Sequence, residues 1–167
     1  AQVQLQQQCI SAHMALFKTL ENENQEAIDI LLEDPKLDVN GENEVGKTVL
    51  HYAALRGYDA VTQILIEKRA NVNARDRSGD TPLHAAAIFG RNEVVKLLLQ
   101  SAADVNITCN LGKTALHCAA NNGEYDVVKT LLCNRAIKYR KDVNGHTPLH
   151  LARKGGHKEV ATLLFLE

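Results

Sequence analysis

The sequence predicts an all-α solenoid of about five stacked helix–turn–helix units. Three observations carry that fold class. A seven-residue phrase recurs four times at a step of 33 residues, as Thr48–Ala54, Thr81–Ala87, Thr114–Ala120 and Thr147–Arg153. Glycines keep the same step, with Gly46, Gly79, Gly112 and Gly145 before each phrase and Gly57, Gly90, Gly123 and Gly156 after it. Asn40, Asn73 and Asn106 repeat in the same register, each beside a valine. A constant period of this size marks supersecondary units that stack because none can bury its apolar face alone.

Each element of the unit has a local cause. Thr81 is a good helix N-cap, and Pro82 follows at the first helical position, where its missing N–H costs nothing. Leu83, Ala86 and Ala87 recur at helical spacing, and Gly90 stops the helix in a left-handed conformation. A second helix is expected from about Asn92 to Ser101, with Val94, Val95, Leu97 and Leu98 as its apolar stripe. One period before Thr48, Ala15–Leu20 forms a degenerate first unit, with Asn24 at the glycine place. Ile28, Leu31 and Leu32 there match Val61, Ile64 and Leu65. The expected units are 11–41, 42–74, 75–107, 108–140 and 141–167, after a glutamine-rich leader over 1–10.

The phrase Thr-Pro-Leu-His-x-Ala-Ala at this period resembles the ankyrin repeat family, over nearly the whole chain. The resemblance implies an ankyrin-repeat solenoid with projecting β-hairpin loops, here called fingers. It also implies a non-enzymatic protein–protein interaction module, monomeric alone, that holds a protein or peptide in a concave groove of fingers and first helices. Carried onto this sequence, the partner-binding positions are Val45, Lys47, Leu55, Arg56, Arg77, Asp80, Ile88, Phe89, Leu111, Lys113, Asn121 and Asn122. Scaffold needs do not account for Leu55, Ile88 and Phe89, so these are expected to form one apolar patch, edged by Val45 and Leu111.

The resemblance gives His51, His84, His117 and His150 a structural role, bonding loop backbone and tying units together. It also places Lys36, Arg69, Ala102 and Arg135 where the family usually has a glycine after the second helix, each a strained left-handed residue if the backbone keeps its usual course. Arg153 takes a place held elsewhere by a packed alanine, which suits a solvent-facing terminal unit, whereas Phe165 and Leu166 suit a further helix. Asn73 and Asn106 resemble substrates of an intracellular asparaginyl hydroxylase. The sequon Asn106-Ile107-Thr108 is read as coincidence.

Composition and motifs exclude much else. Lys and Arg number 19 against 20 Asp and Glu, so net charge points to neither nucleic acid nor a membrane. The distribution is uneven, with nine acids against two bases in residues 1–46 and seven bases against one acid in 135–158. Basic residues are not interleaved with stacking aromatics, which disfavours direct nucleic-acid contact. Cys9, Cys109, Cys118 and Cys133 lack paired spacing and read as free thiols of a reducing, intracellular compartment: cytoplasm, nucleus or a host cell's cytosol. His146 and His150 are four apart but find no thiolate or carboxylate to complete a zinc set, so no metal and no cofactor is expected. Gly46-Lys47-Thr48 and Gly112-Lys113-Thr114 lack the upstream glycine of a phosphate loop, and no nucleophile elbow appears. A second class of function stays open at this point: the substrate- or partner-targeting arm of a larger enzyme or regulator, such as a host-directed bacterial effector or an inhibitor of a transcription factor.

Overall fold

A computed structural model describes the backbone of residues 2–166 and the side chains of 12–166. Among the described residues the chain forms ten helices and no strand. They are α1 (Gln2–Glu21), α2 (Gln25–Leu32), α3 (Val49–Arg56), α4 (Asp59–Glu67), α5 (Pro82–Ile88), α6 (Asn92–Gln100), α7 (Ala115–Asn121), α8 (Tyr125–Cys133), α9 (Pro148–Lys154) and α10 (Lys158–Leu166). The odd-numbered helices lie side by side in one row, and α4, α6, α8 and α10 form a second row behind them. The glutamine-rich leader and Cys9 fall where side chains lie outside the described residues.

Small residues set the spacing between rows. Ala53, Ala54, Ala86, Ala87, Ala119 and Ala120 are fully buried where neighbouring first helices meet. Leu50, Leu83 and Leu116 share one continuous core with Leu65, Leu98 and Leu131 of the second row. Interaxial distance follows the size of the contact side chains, so alanines let first helices approach closely. Thr62 departs from this pattern. It sits where α6 and α8 carry Val95 and Val128, fully buried, and its hydroxyl finds no partner.

Helix ends are closed by one device used repeatedly. After α3, Gly57 takes φ +73°, its N–H bonds Ala54 O at 3.2 Å, and the Tyr58 N–H bonds Ala53 O at 3.0 Å. This double bond satisfies carbonyls that a helix end otherwise leaves open. The second helices end the same way without glycine. Arg69, Ala102 and Arg135 stand at φ +66°, +66° and +67°. Lys36 does not join them. Leu37 N–H bonds Asp34 O at 3.0 Å and Asp34 Oδ1 accepts from Lys36 N–H at 2.9 Å, so a Pro35 turn ends that segment.

The first unit also differs in register. Glu23, not Asn24, holds the left-handed place at φ +56°. Asn24 instead caps α2, its side chain accepting from Ala27 N–H. Asparagine is among the best N-caps. That choice decides which of the two residues turns left-handed.

The fingers are tight turns and not β-hairpins. Each is closed by a pair of backbone bonds at one residue. The N–H of Asn43, Asp76, Cys109 and Asp142 donates to Lys47, Asp80, Lys113 and His146 O, all at 2.9 Å, and their carbonyls accept from the N–H of Gly46, Gly79, Gly112 and Gly145 at 2.9–3.0 Å. The pairing extends no further than an isolated antiparallel bridge between Glu42 and Thr48. Successive fingers are joined by Arg77 N–H to Val45 O, Asn110 N–H to Ser78 O and Val143 N–H to Leu111 O.

Arg69 and Arg135 hold a conformation that costs a non-glycine residue roughly 1 kcal/mol. Arg69→Gly and Arg135→Gly should each raise stability by about 0.5–1 kcal/mol. A higher urea midpoint with an unchanged slope is the expected result. An unchanged midpoint would show that glycine's unfolded-state entropy cancels the gain.

Candidate functional site

The geometry of the groove side starts from the threonine–histidine pairs. The N–H of Thr48, Thr81 and Thr114 donates to Nδ1 of His51, His84 and His117 at 3.0, 3.1 and 3.1 Å. A nitrogen that accepts from an amide cannot carry a proton, so the proton sits on Nε2. Nε2 donates across to the next finger: His51 to Asp80 O at 2.9 Å, His84 to Lys113 O at 2.9 Å and His117 to His146 O at 3.0 Å. Burial pushes all three imidazoles below their usual range, partly offset by those backbone bonds. His150 departs from the series. It is exposed and stacks on His146 with ring centres 4.3 Å apart.

Asparagines provide a second tie. Asn40 Oδ1 accepts from Asn71 N–H, Asn73 Oδ1 from Asp104 N–H and Asn106 Oδ1 from Ile137 N–H, at 2.8–2.9 Å. The finger stems have their own lock. Asp76 Oδ1 accepts from Ser78 and Asp80 N–H, and Asn43 and Asp142 do the same in their fingers. The Asp142 carboxyl is buried, which raises its pKa, but those two backbone donors reverse the effect and hold it below the usual range. The third finger has Cys109 at this position and lacks the lock, a departure visible in the sequence by aligning positions 43, 76, 109 and 142.

Asp80, His84 and Cys109 bring donor atoms within 4.8 Å of one another. This is the single cluster of metal-ligand types among the described residues. Both ring nitrogens of His84 are already engaged, one as acceptor and one as donor. Binding an ion there would dismantle the helix cap, so the trio does not fit a metal. Cys118 is half-buried against the core and its thiol is pushed up to about 12, first by desolvation and then by Asp80, which makes it unreactive.

The expected partner-binding residues divide into groups. Val45, Phe89 and Leu111 are exposed at 47%, 49% and 57%. Arg77, Asn121 and Asn122 are also exposed. Leu55 and Ile88 are half-buried, and Leu55 packs against the core. Both are clasped through their carbonyls, Leu55 O by Arg91 Nε at 3.1 Å and Ile88 O by Asn122 Nδ2 at 2.8 Å. Arg56 lies 3.7 Å from Glu23 and its Nε is buried without a partner. Lys47 and Asp80 are half-buried, and burial pushes the Asp80 carboxyl up, partly offset by His84. Lys113 is half-buried too, and its carbonyl receives His84.

Two concavities open on this side. Lys47, His51, Tyr52 and Leu55 line a hollow of about 120 Å³. A larger cleft of about 640 Å³ lies between α1 and the first finger, lined by Met14, Phe17, Val45 and Tyr52 among others. Tyr52 belongs to both. The sequence placed Phe17 in the degenerate first unit, Ala15–Leu20, but did not point to a cleft there, because α1 lacks the repeat phrase that identifies helix faces.

A family model for ankyrin repeats (3 copies) matches residues 2–76, 73–142 and 103–167. The chain belongs to the ankyrin repeat family. A comparison with curated proteins finds no match. Ankyrin repeats are generally protein–protein interaction modules, and the family is typically non-enzymatic. No helix among the described residues is long and apolar enough to cross a membrane.

The tautomer fixes the sign of a pH effect. In the unfolded chain these histidines take up protons near pH 6.5, and in the fold they do so only lower. Their stabilisation is therefore complete above about pH 6.5 and declines as pH falls through the lowered folded values. The urea midpoint should hold between about pH 7 and 8 and drop between about pH 6.5 and 5. His84→Ala should cost about 1–2 kcal/mol at pH 7 and flatten that drop. An unflattened profile would assign the pH response to other groups.

Restoring the third stem lock should stabilise the chain. Cys109→Asn recreates the arrangement of Asn43 without adding a charge beside Asp80. The gain expected is about 1 kcal/mol, read from thermal or urea unfolding. A neutral or lowered midpoint would mean that the finger has relaxed around the thiol.

Proposed function

We propose that this ankyrin repeat chain is a non-enzymatic interaction module of five units that holds a protein or peptide partner along the side formed by fingers and first helices. The pairing of ten helices supports the count of five. The observation that carries the binding reading is Phe89. It caps α5 in the middle of the stack, half exposed, while the alanines before it on the same helix are buried. Interfaces are enriched in such central aromatic anchors. Val45 and Leu111, exposed at the tips of the first and third fingers, flank it along the chain's repeat order. Arg77 and Lys113 supply a polar rim, while Leu55 and Ile88 support the backbone beneath it.

Asn73 and Asn106 are assigned to the scaffold. Each spends its side-chain oxygen on the N–H of the following loop, so hydroxylation is not needed to account for either residue.

Phe89→Ser and Ile88→Asp should weaken binding of the natural partner at least tenfold. Phe89→Ser should leave the melting temperature nearly unchanged, because the ring is half exposed. Lys96→Ala should change nothing. Lys96 is exposed on α6 in the second row and pairs only with Glu93, at 3.1 Å, an ion pair worth at most about 1 kcal/mol. The measurement is calorimetry with the partner captured from a lysate of the source cell. Normal binding by the Phe89 variant together with loss in Lys96→Ala would move the interface to the second row.

A further inference from the structure

We infer that the cleft between α1 and the first finger takes a bulky apolar side chain from a peptide segment that carries a basic residue beside it. This rests on the reading that the finger side binds a polypeptide, and it names the chemistry of the segment that enters at the first units.

The walls point to an apolar side chain. Phe17 and Tyr52 meet edge to face, with ring centres 5.2 Å apart and planes at 74°. Phe17 is buried and forms the floor. Met14 and Val45 are exposed at 40% and 47% and stand at the opening. At about 640 Å³ the cleft is of the size that encloses a bound group. Methionine at such an edge adapts to differently shaped side chains.

The rim supplies the charge. Glu21 and Glu44 line the cleft and are exposed, and among the described residues neither carboxylate is in a hydrogen bond or an ion pair. Lys18 is the one cation among the lining residues. The surrounding stretch repeats the bias, with nine acids to two bases in residues 1–46. A cation on the partner gains attraction to these carboxylates without having to break an existing pair, and the attraction falls with salt.

Tyr52 supplies a reason for a peptide. Its hydroxyl accepts from Asn43 Nδ2 at 3.4 Å, which leaves its own proton to donate. The other end of Asn43 is fixed, because Oδ1 holds the N–H groups of Val45 and Lys47. A phenol proton held at the edge of an apolar cleft fits a backbone carbonyl next to the buried side chain.

The test is to pan a displayed library of random 12-residue peptides against the whole chain, and to measure the enriched peptides by fluorescence anisotropy. Enriched sequences should carry Phe, Leu or Met within two residues of Lys or Arg. The double variant Met14→Ser/Val45→Ser changes only exposed side chains and should weaken them at least tenfold. Glu21→Lys/Glu44→Lys should do the same at low salt, with a smaller loss at high salt. Phe89→Ser should alter these peptides no more than twofold. Enrichment of acidic peptides, full binding by Met14→Ser/Val45→Ser, or a library without binders would each overturn the inference. Peptides that lose affinity with Phe89→Ser but not with the cleft variants would overturn it while leaving the wider groove reading intact.

Discussion

One hydrogen-bond relay, repeated, holds the stack in register. An imidazole receives the backbone N–H of its own helix cap at Nδ1 and gives its Nε2 proton to the carbonyl of the next finger. Neither bond would be strong alone. Together they satisfy an orphan donor at a helix start and a loop carbonyl, both in poorly hydrated surroundings where an unmade bond is expensive. The ring must be neutral and in one tautomer to do both. That requirement also explains why histidine fills these positions: a lysine could not accept and a carboxylate could not donate. It leaves Asp80 and Cys109 beside a ring with no free nitrogen, which is why the trio is poorly suited to a metal.

The other contacts elaborate this relay. Asparagine oxygens tie the outer loops, backbone bonds tie fingertip to fingertip, and alanines let the first helices close up so that the relay can span from one unit to the next. The side chains left over are the ones that the proposed partner would meet. Phe89, Val45 and Leu111 are exposed because no neighbour claims them. Leu55 and Ile88 occupy comparable sequence positions but are half withdrawn, and the next unit grips their carbonyls.

Much of this was legible in the sequence, for a specific reason. A position that must satisfy the same neighbour in every unit shows itself by recurring, as Thr48, Thr81 and Thr114 do, and so the helices and their caps could be read directly, while the histidine ties came from the family resemblance. The left-handed ends at Arg69, Ala102 and Arg135 were expected from the family resemblance, which puts a glycine there. Where the pattern fades, reading it fails. The first unit has no repeat phrase, so the left turn was placed on Asn24, which the structure uses as a cap. Lys36 was given a strain that a proline turn avoids. The fingers were expected as hairpins, but each stem closes with too few bonds to count as strands. The cleft of Phe17 and Tyr52 was missed because it depends on how α1 meets the first finger, a distance that periodicity does not encode.

The relay also has a direction. His51, His84 and His117 each hand the Nε2 proton to the finger of the unit that follows, so through this bond each of those units depends on its C-terminal neighbour. His150 makes no such bond here: its ring is exposed and stacks on His146. Cooperativity in this array is therefore vectorial. Opening the final pair of helices strips the acceptor from His117 and leaves the unit before it in the condition His150 is in now. Opening the first pair takes no acceptor from any histidine further along. Along this stretch of the stack, loosening passes more readily to the unit before than to the unit after, so the two directions along it are unequal.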